Sequence, residues 1–296
     1  MTELIVQAIL LGSVYTLLAM AYNFVFAGSK VVNFAQGDLV AAGGVIFAVL
    51  TVMQGLPTWI AAIAAIVIVG ALALVIVGAL VLPTLPGVLD RTQNEQASFR
   101  WVLTTLGASV VIAAIGNIVA PNGAIAVHPF WAGSFPLFGA RVPFHDLIVV
   151  GVTVVVVAGS QLVLANTQIG RQLRAVASDR YGAEVVGIPS RRFIIVIFVV
   201  AGLFSALAGL LIAPVTQANA NTGFTLGLAG FAAATVGGLG EMRGSAIGGL
   251  IVGFAEIFGT RFISSQLGTV YPLLLLIVVL MVRPRGIMSS SFVERV

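Results

Sequence analysis

A few polar side chains lie inside stretches of this sequence that are otherwise apolar. Asn33, Gln36 and Asp38 fall at the start of one apolar run, and Glu256 lies within another. Polar groups inside a membrane segment are costly, and they usually face a water-lined cavity or a partner group. These side chains could accept a substrate ammonium group or hold a proton or cation. The alternative is a helix start at the membrane interface, with Lys30 and Asp38 near lipid headgroups.

No set of residues has the spacing of an enzyme site. The chain has no Cys, which excludes disulfides and thiolate metal sites. His128 and His145 fall in or beside a long loop, where a solvated histidine is the simpler interpretation. The run GLGEMRG at 238–244 lacks the Lys and the preceding soluble strand of a phosphate-binding loop. We therefore expect no catalytic residue, no metal and no cofactor.

The elements that carry these residues must be membrane helices. Of the 296 residues, 59% are hydrophobic and only 8% are charged, whereas a soluble domain has roughly 25% charged residues. We predict an all-α polytopic helical membrane protein, a single transmembrane domain over residues 1–296 within a lipid bilayer. A span needs about 20 apolar residues. The candidate spans are 4–27, 31–53, 57–82, 101–120, 144–165, 193–214, 224–240, 245–263 and 271–282.

Two of these candidate spans are short, namely 224–240 and 271–282. Either could be broken or re-entrant, so the sequence leaves eight and nine spans as alternatives.

The basic residues predict the orientation. If the polar loop at 167–192 is cytoplasmic and the spans alternate, every Lys and Arg except Arg141 and Arg261 lies on the cytoplasmic side. This arrangement puts the N-terminus outside and the C-terminus inside. The net charge of +4 does not point to nucleic acid, because the basic residues lie at the ends of apolar runs.

The loop at 167–192 is the most polar long segment. At helical periodicity, Ile169, Leu173 and Val176 share one side, and Arg171 and Arg174 share the other. A second short helical turn should end at the glycine that precedes Ile188 and Pro189, because glycine adopts the left-handed turn and proline cannot continue the helix. The segment is either a helix lying on the bilayer surface or a helix that docks on a soluble partner.

Two parts of the chain contain the same succession of elements. Residues 12–37 and 202–227 each comprise a span, a polar break and a helix start rich in Gly and Ala. They start from opposite sides of the membrane, as inverted repeats do. The alternative is that any two glycine-rich hairpins look alike. Farther on, Gly244, Gly248, Gly249 and Gly253 have the small-xxx-small spacing of closely packed membrane helices.

Three segments resemble the permease subunits of the branched-chain amino acid ABC transporter family. The first is the run GRQLRAVASDRYGAEVVGI within the polar loop, and the second is the Asn-Phe-Ala-x-Gly pattern at 33–37. The third is the alanine- and glycine-rich run 230–256. The terminal RPRG also resembles the end of the family's last span. Gln36 stands where the family often has His, which keeps a hydrogen-bonding side chain but not an imidazole.

The resemblance implies a permease of a bacterial inner membrane that moves branched-chain or related amino acids inward. It implies three kinds of partner: ATPase subunits that bind the ATP, a second homologous permease subunit, and an extracytoplasmic substrate-binding protein. Arg174 is expected to contact the ATPase. We assign coupling to Gly170, Arg171, Arg174, Ala175, Asp179, Ala183 and Gly187. We assign the substrate path to Asn33, Gln36, Gly37, Asp38, Gly223, Gly227 and Glu256.

Other functions are compatible with the same residues. A secondary transporter or channel working alone could use Asp38 and Glu256 as proton or cation sites, and a membrane scaffold would need neither. Related permeases carry urea, amides and other small solutes, so the substrate cannot be read from the sequence.

Overall fold

The computed structural model describes residues 1–82, 95–121, 123–137 and 140–288. Arg91 and Arg295, which contribute to the charge argument, lie outside these residues. The regular structure of the described residues is helical apart from one small hairpin, which confirms the all-α prediction. The elements are α1 (Thr2–Ser29), α2 (Gln36–Ala48), α3 (Thr58–Val75), α4 (Glu95–Val119), β1 (Ser134–Leu137), β2 (Ala140–Pro143), α5 (Phe144–Asn166), α6 (Gln168–Ser178), α7 (Arg180–Val185), α8 (Ser190–Thr216), α9 (Gly223–Gly237), α10 (Met242–Phe262) and α11 (Tyr271–Val282).

Eight helices of the described chain are long and apolar enough to cross a membrane. Three of them gain length from irregular turns: α2 continues through the π-helical turn Val49–Met53, α3 continues into the π-helical turn Ile76–Val81, and the 3₁₀ turn Ser265–Val270 precedes α11. The remaining candidate, α9, has 15 residues. That length gives about 22 Å, against the roughly 30 Å of a bilayer core. Eight of the described helices therefore qualify by length and composition, and α9 is the short member that the sequence analysis marked as broken or re-entrant.

Side-chain and backbone contacts fix the relative directions of the helices. α1 and α10 are antiparallel, because Gly12 packs on Gly253 while Asn23 bonds Ser245. α2 and α8 are parallel, because Gln36 bonds Ala201 and Gly44 faces the backbone of Gly209. The end of the bundle that carries α6 and α7 is called the α6 end below. The other end, which carries the hairpin, is called the hairpin end.

Small residues allow these helices to touch along their backbones. A Cβ added to Gly253 would lie 2.5 Å from the Cα of Gly12, and one added to Gly248 would lie 2.7 Å from the backbone nitrogen of Gly237. These approaches confirm the close packing that the small-xxx-small spacing predicts.

Residues that follow α11 return to the end of α9. The Ile287 amide donates to the Val236 carbonyl at 2.9 Å, and the Met288 amide donates to the Gly237 carbonyl at 3.1 Å. The last carbonyls of a helix have no partner within the helix itself. The segment 286–288 therefore caps α9 at the α6 end.

Two features at the hairpin end differ from the sequence analysis. The loop before α5 contains the antiparallel strands β1 and β2, which the apolar pattern did not indicate. The interpretation of His145 as a solvated histidine is wrong, because its side chain is only 2% exposed. Its Nε2 lies 3.0 Å from the Leu211 carbonyl of α8, and its ring stacks on Phe130. The stack on Phe130 therefore places a loop residue against the start of α5.

The orientation can be tested with single cysteines, because the chain contains none. Ser134 in β1 and Ser178 in α6 are both exposed and lie at opposite ends of the bundle. In intact cells, Ser134→Cys should react with an impermeant maleimide added outside, and Ser178→Cys should react only after the membrane is opened. The reverse labelling pattern would overturn the predicted orientation.

Candidate substrate path

Both suspected repeats contain an interrupted helix. After α1, the chain leaves the helix at Lys30, where φ is 59°, and becomes helical again at Gln36. After α8 it leaves at Gln217, where φ is 65°, and the 3₁₀ turn Ala220–Thr222 leads into α9. Gln36 bonds Ala201, which lies about 17 Å along α8 from Ser190 at 1.5 Å per residue. The first break therefore lies inside the bundle.

The two helix starts meet without intervening side chains. A Cβ at Gly37 would overlap the Gly223 carbonyl oxygen and lie 2.6 Å from the Cα of Gly227. A Cβ at Gly223 would in turn lie 2.8 Å from the Cα of Asp38. Only glycine permits backbones to approach this closely. The contact therefore joins four residues that the sequence analysis assigned to the path from distant parts of the chain, at positions 37, 38, 223 and 227.

The N-terminal ends of α2 and α9 both point into this meeting place. Neither helix has a side-chain cap. The first N–H groups of a helix have no partner within the helix, and the helix dipole makes this end attractive to anions. Asp38 lies in the first turn of α2 and offsets part of that positive potential. Donors and one carboxylate acceptor are therefore close together.

The amides of Asn33 and Gln36 are occupied by the protein itself. Asn33 Nδ2 donates to Gln36 Oε1 at 2.9 Å, and the Ala35 amide donates to Asn33 Oδ1 at 3.1 Å. Gln36 Nε2 donates to the Ala201 carbonyl at 2.9 Å and to Ser205 Oγ at 2.6 Å. Both side chains are buried. In this conformation they fasten the first break to α8.

Asp38 has a different environment from the two amides. Its Oδ2 accepts a short hydrogen bond from Ser109 Oγ of α4. Two narrow pockets flank the helix starts, each with room for about one water molecule. One lies between α2 and α4 and is lined by Asp38, Ile112 and Ala220. The other lies between α2, α8 and the second break, where Val40 and Leu226 supply apolar walls.

Glu256 does not join this group. Its Oε2 accepts a hydrogen bond of 2.6 Å from the hydroxyl of Tyr15, a residue two turns before Tyr22 on α1. Tyr22 lies beside Gly227. Glu256 is therefore paired with Tyr15 at a different depth in the bundle from the two helix starts. Its assignment to the path stays a prediction.

The polar loop forms two short helices at the α6 end. Thr167 caps α6 by accepting from the Gly170 amide at 3.1 Å, and a Cβ at Gly170 would lie 2.6 Å from the Cα of Leu164. Leu173 is buried, whereas Arg171 is exposed. Gly170 and Leu173 thus hold α6 against the bundle, and the arginine faces outward.

The second helix of the loop, α7, is fastened to the start of α8. Ala183 is buried and Ser190 Oγ donates to Glu184, while Arg180 Nε donates to Ser190 Oγ at 3.1 Å. Burial lowers the pKa of the Arg180 guanidinium, and the charge of Glu184 opposes that shift. Asp179 is exposed between α6 and α7, and Ala175 is half-buried on α6.

The turn after α7 has the predicted conformation. Gly187 has φ of 86°, in the left-handed region, and nothing lies within 4 Å of a Cβ placed there. The left-handed turn is confirmed. The exposed apolar side chains nearby are Ile169, Tyr181, Val185 and Val186. Arg174 is exposed, and its guanidinium donates a short hydrogen bond to the Leu164 carbonyl of α5. Its contact with an ATPase stays a prediction.

Sequence reasoning missed the hydroxyl partners of the path residues. Ser109, Ser205 and Tyr15 each bond a polar residue on another helix. Asn23 was also missed: it is fully buried and donates to Ser245 Oγ at 2.8 Å. A single polar residue within each apolar run could have marked these positions as candidates for a hydrogen bond. The sequence does not show which helices face each other, so the partners could not be identified.

These features define a polytopic membrane protein whose interrupted helices meet inside the bundle, which is the architecture of a membrane permease. A sequence model of the family described as branched-chain amino acid transport system, permease component, matches residues 4–282, and the chain belongs to that family.

Similar curated proteins cover almost the whole chain. The high-affinity branched-chain amino acid transport system permease protein LivH of Escherichia coli is 27% identical over 98% of this chain and 96% of its own length. The corresponding protein BraD of Pseudomonas aeruginosa is 28% identical over 99% and 97%. The probable LivH of Methanocaldococcus jannaschii is 28% identical over 95% and 90%.

The contact between helix starts predicts a sharp steric effect. Gly37→Ala should separate α2 from α9 and destabilise the protein by about 1–3 kcal/mol. The melting temperature in detergent should fall by roughly 2–4 °C for each kcal/mol. Gly151→Ala on α5 is the control, because nothing lies within 4 Å of a Cβ there. Equal melting temperatures for wild type and Gly37→Ala would show that the helix starts do not touch.

Proposed function

We propose that this chain is the transmembrane subunit of an ABC importer that moves branched-chain or related amino acids across a bacterial inner membrane. The convergence of two helix starts on one carboxylate, in a chain of this family, carries the proposal most directly. A zwitterionic amino acid needs donors for its carboxylate and an acceptor for its ammonium group. The N–H groups at the starts of α2 and α9 supply the donors, and Asp38 supplies the acceptor.

The pocket walls suit an apolar side chain. Val40, Ile112 and Leu226 line the two pockets beside the helix starts. Neither pocket has room for an amino acid in this conformation, so α2, α4 or the second break must move for substrate to pass. The path needs few charged groups, because selection is assigned to a separate binding protein.

The energy for this movement is assigned to partner subunits. The sequence has no phosphate-binding loop, so ATP would be bound and hydrolysed by separate ATPase subunits, and this chain would be neither an enzyme nor a cofactor protein. A second permease subunit and an extracytoplasmic binding protein complete the proposed assembly, which involves no nucleic acid. In this assembly the α6 end and the C-terminus face the cytoplasm, and the N-terminus faces outward.

The exposed surface of α6 and α7 suits a docking role better than a passive surface helix. Ile169, Val185 and Val186 are exposed, and so is Arg171, so this loop presents both apolar and basic groups outside the bundle. Glu184 holds α7 to α8 through Ser190, and Gly170 packs α6 against α5. A force applied at this surface would therefore reach α8, which precedes the second break and holds the first break through Gln36.

The path can be tested by uptake of labelled L-leucine in cells that express the complete transport system. Asp38→Asn should reduce uptake by roughly tenfold or more, because it removes the charge that faces the ammonium group; tenfold corresponds to about 1.4 kcal/mol. Asp146→Asn on α5, outside the proposed path, should have little effect. Competition by excess isoleucine or urea distinguishes the substrate classes. Normal uptake by Asp38→Asn would remove Asp38 from the path.

Coupling can be tested with variants of the loop. Gly187→Val places a β-branched residue at positive φ and should cost roughly 1 kcal/mol or more. Arg171→Glu reverses an exposed charge. Both should leave the permease in the membrane but reduce ATPase association or transport per ATP hydrolysed, and Arg261→Glu on α10 is the charge control. If both loop variants transport and hydrolyse normally, α6 and α7 are a surface helix pair only.

A further inference from the structure

A backbone bridge joins the loop at the hairpin end to the second helix break. The Ile125 amide donates to the Ala218 carbonyl at 2.8 Å, and the Ala218 amide donates to the Ile125 carbonyl at 2.9 Å. Ala218 is 3% exposed and lies between the end of α8 and the 3₁₀ turn before α9. Buried peptide groups outside regular structure need a partner. Here the loop provides both bonds.

The residue before the bridge has an unfavourable backbone conformation. Gln217 has φ of 65° and ψ of 149°, a combination that L-residues rarely adopt. Such a conformation persists only where the surrounding structure holds it. The bridge at Ala218 is the adjacent restraint, so the second break is held in a conformation that its own sequence does not favour.

The loop is held at a second point by an aromatic stack. Phe130 stacks on Phe47 of α2, with ring centroids 5.2 Å apart and an interplanar angle of 9°. Its ring also stacks on His145 at 5.8 Å and 1°. His145 in turn contacts the Leu211 carbonyl near the end of α8. Phe130 therefore lies between α2 and the part of α8 that precedes the break.

The tethered break lines both pockets beside the helix starts. Ala218 and Asn219 line the pocket between α2 and α8. Ala220, two residues farther on, lines the pocket that contains Asp38. A displacement of residues 217–220 would therefore widen both pockets together.

We propose that residues 123–133 form the gate of the substrate path at the hairpin end, and that each transport cycle requires release of the Ile125–Ala218 bridge. This gate rests on the proposed function and adds a step to it. Release frees Gln217 from its restraint, lets the break move away from α2 and opens the pockets. Closure restores the bridge and returns Phe130 to its place between Phe47 and His145.

A reversible disulfide across the bridge tests the gate. Residues paired by two backbone bonds in an antiparallel bridge have Cα atoms about 5.5 Å apart, a separation that a disulfide can span. Ile125→Cys with Ala218→Cys should form this bond in a chain that has no other cysteine. Pro136→Cys with Arg141→Cys, a cross-strand pair within the hairpin, is the control because it leaves the break untied.

Oxidation of the Ile125–Ala218 pair should reduce uptake of labelled L-leucine at least tenfold, and a reductant should restore it. The hairpin pair should transport equally in both states. If the bridged protein, with its disulfide verified by mass spectrometry, transports as fast as its reduced form, the gate is overturned. Absence of uptake of every branched-chain or related amino acid by the wild-type complex would instead overturn the proposed function, which separates the two failures.

A second measurement does not depend on disulfide formation. Ala218→Cys alone should be shielded from a water-soluble maleimide at rest, because residue 218 is buried. During transport with ATP and substrate present, its labelling rate should rise several-fold, measured in vesicles of both orientations. An unchanged rate during active transport would show that the bridge does not open.

Discussion

Peptide groups inside a lipid bilayer have no water to bond, and the whole arrangement of this bundle follows from that constraint. A break in a membrane helix survives only where protein groups satisfy the freed backbone. Here Asn33 and Gln36 tie the first break to α8, and a bridge from Ile125 ties the second. Each break is thus built from contacts with distant parts of the chain. The bundle can hold polar helix starts at its centre because those contacts replace water.

Glycine determines how closely the two helix starts approach. At Gly37, Gly223 and Gly227, backbone meets backbone, so the two helix starts touch through their peptide groups. One carboxylate, Asp38, lies among them. In the proposed transport cycle a weak site is sufficient here, because a separate binding protein would select the substrate and tight binding would slow its release.

Local signals in the sequence predicted the helices, both breaks and the turn at Gly187. Apolar runs, polar interruptions and glycine next to proline act within a few residues, so they can be read without the fold. The partners of the polar residues could not be predicted: Ser109 lies on a different helix from Asp38, and Ser205 on a different helix from Gln36. Tertiary proximity also explains why His145, beside a loop in the sequence, is buried in the structure.

The end of α9 depends on residues made much later than α9 itself. The carbonyls of Val236 and Gly237 accept hydrogen bonds from the amides of Ile287 and Met288, which follow α11. While the chain is being inserted into the membrane, α9 therefore has an unsatisfied end until those later residues arrive. The last turn of α9, which continues from the helix start at Gly223, is consequently among the last parts of the bundle to be completed.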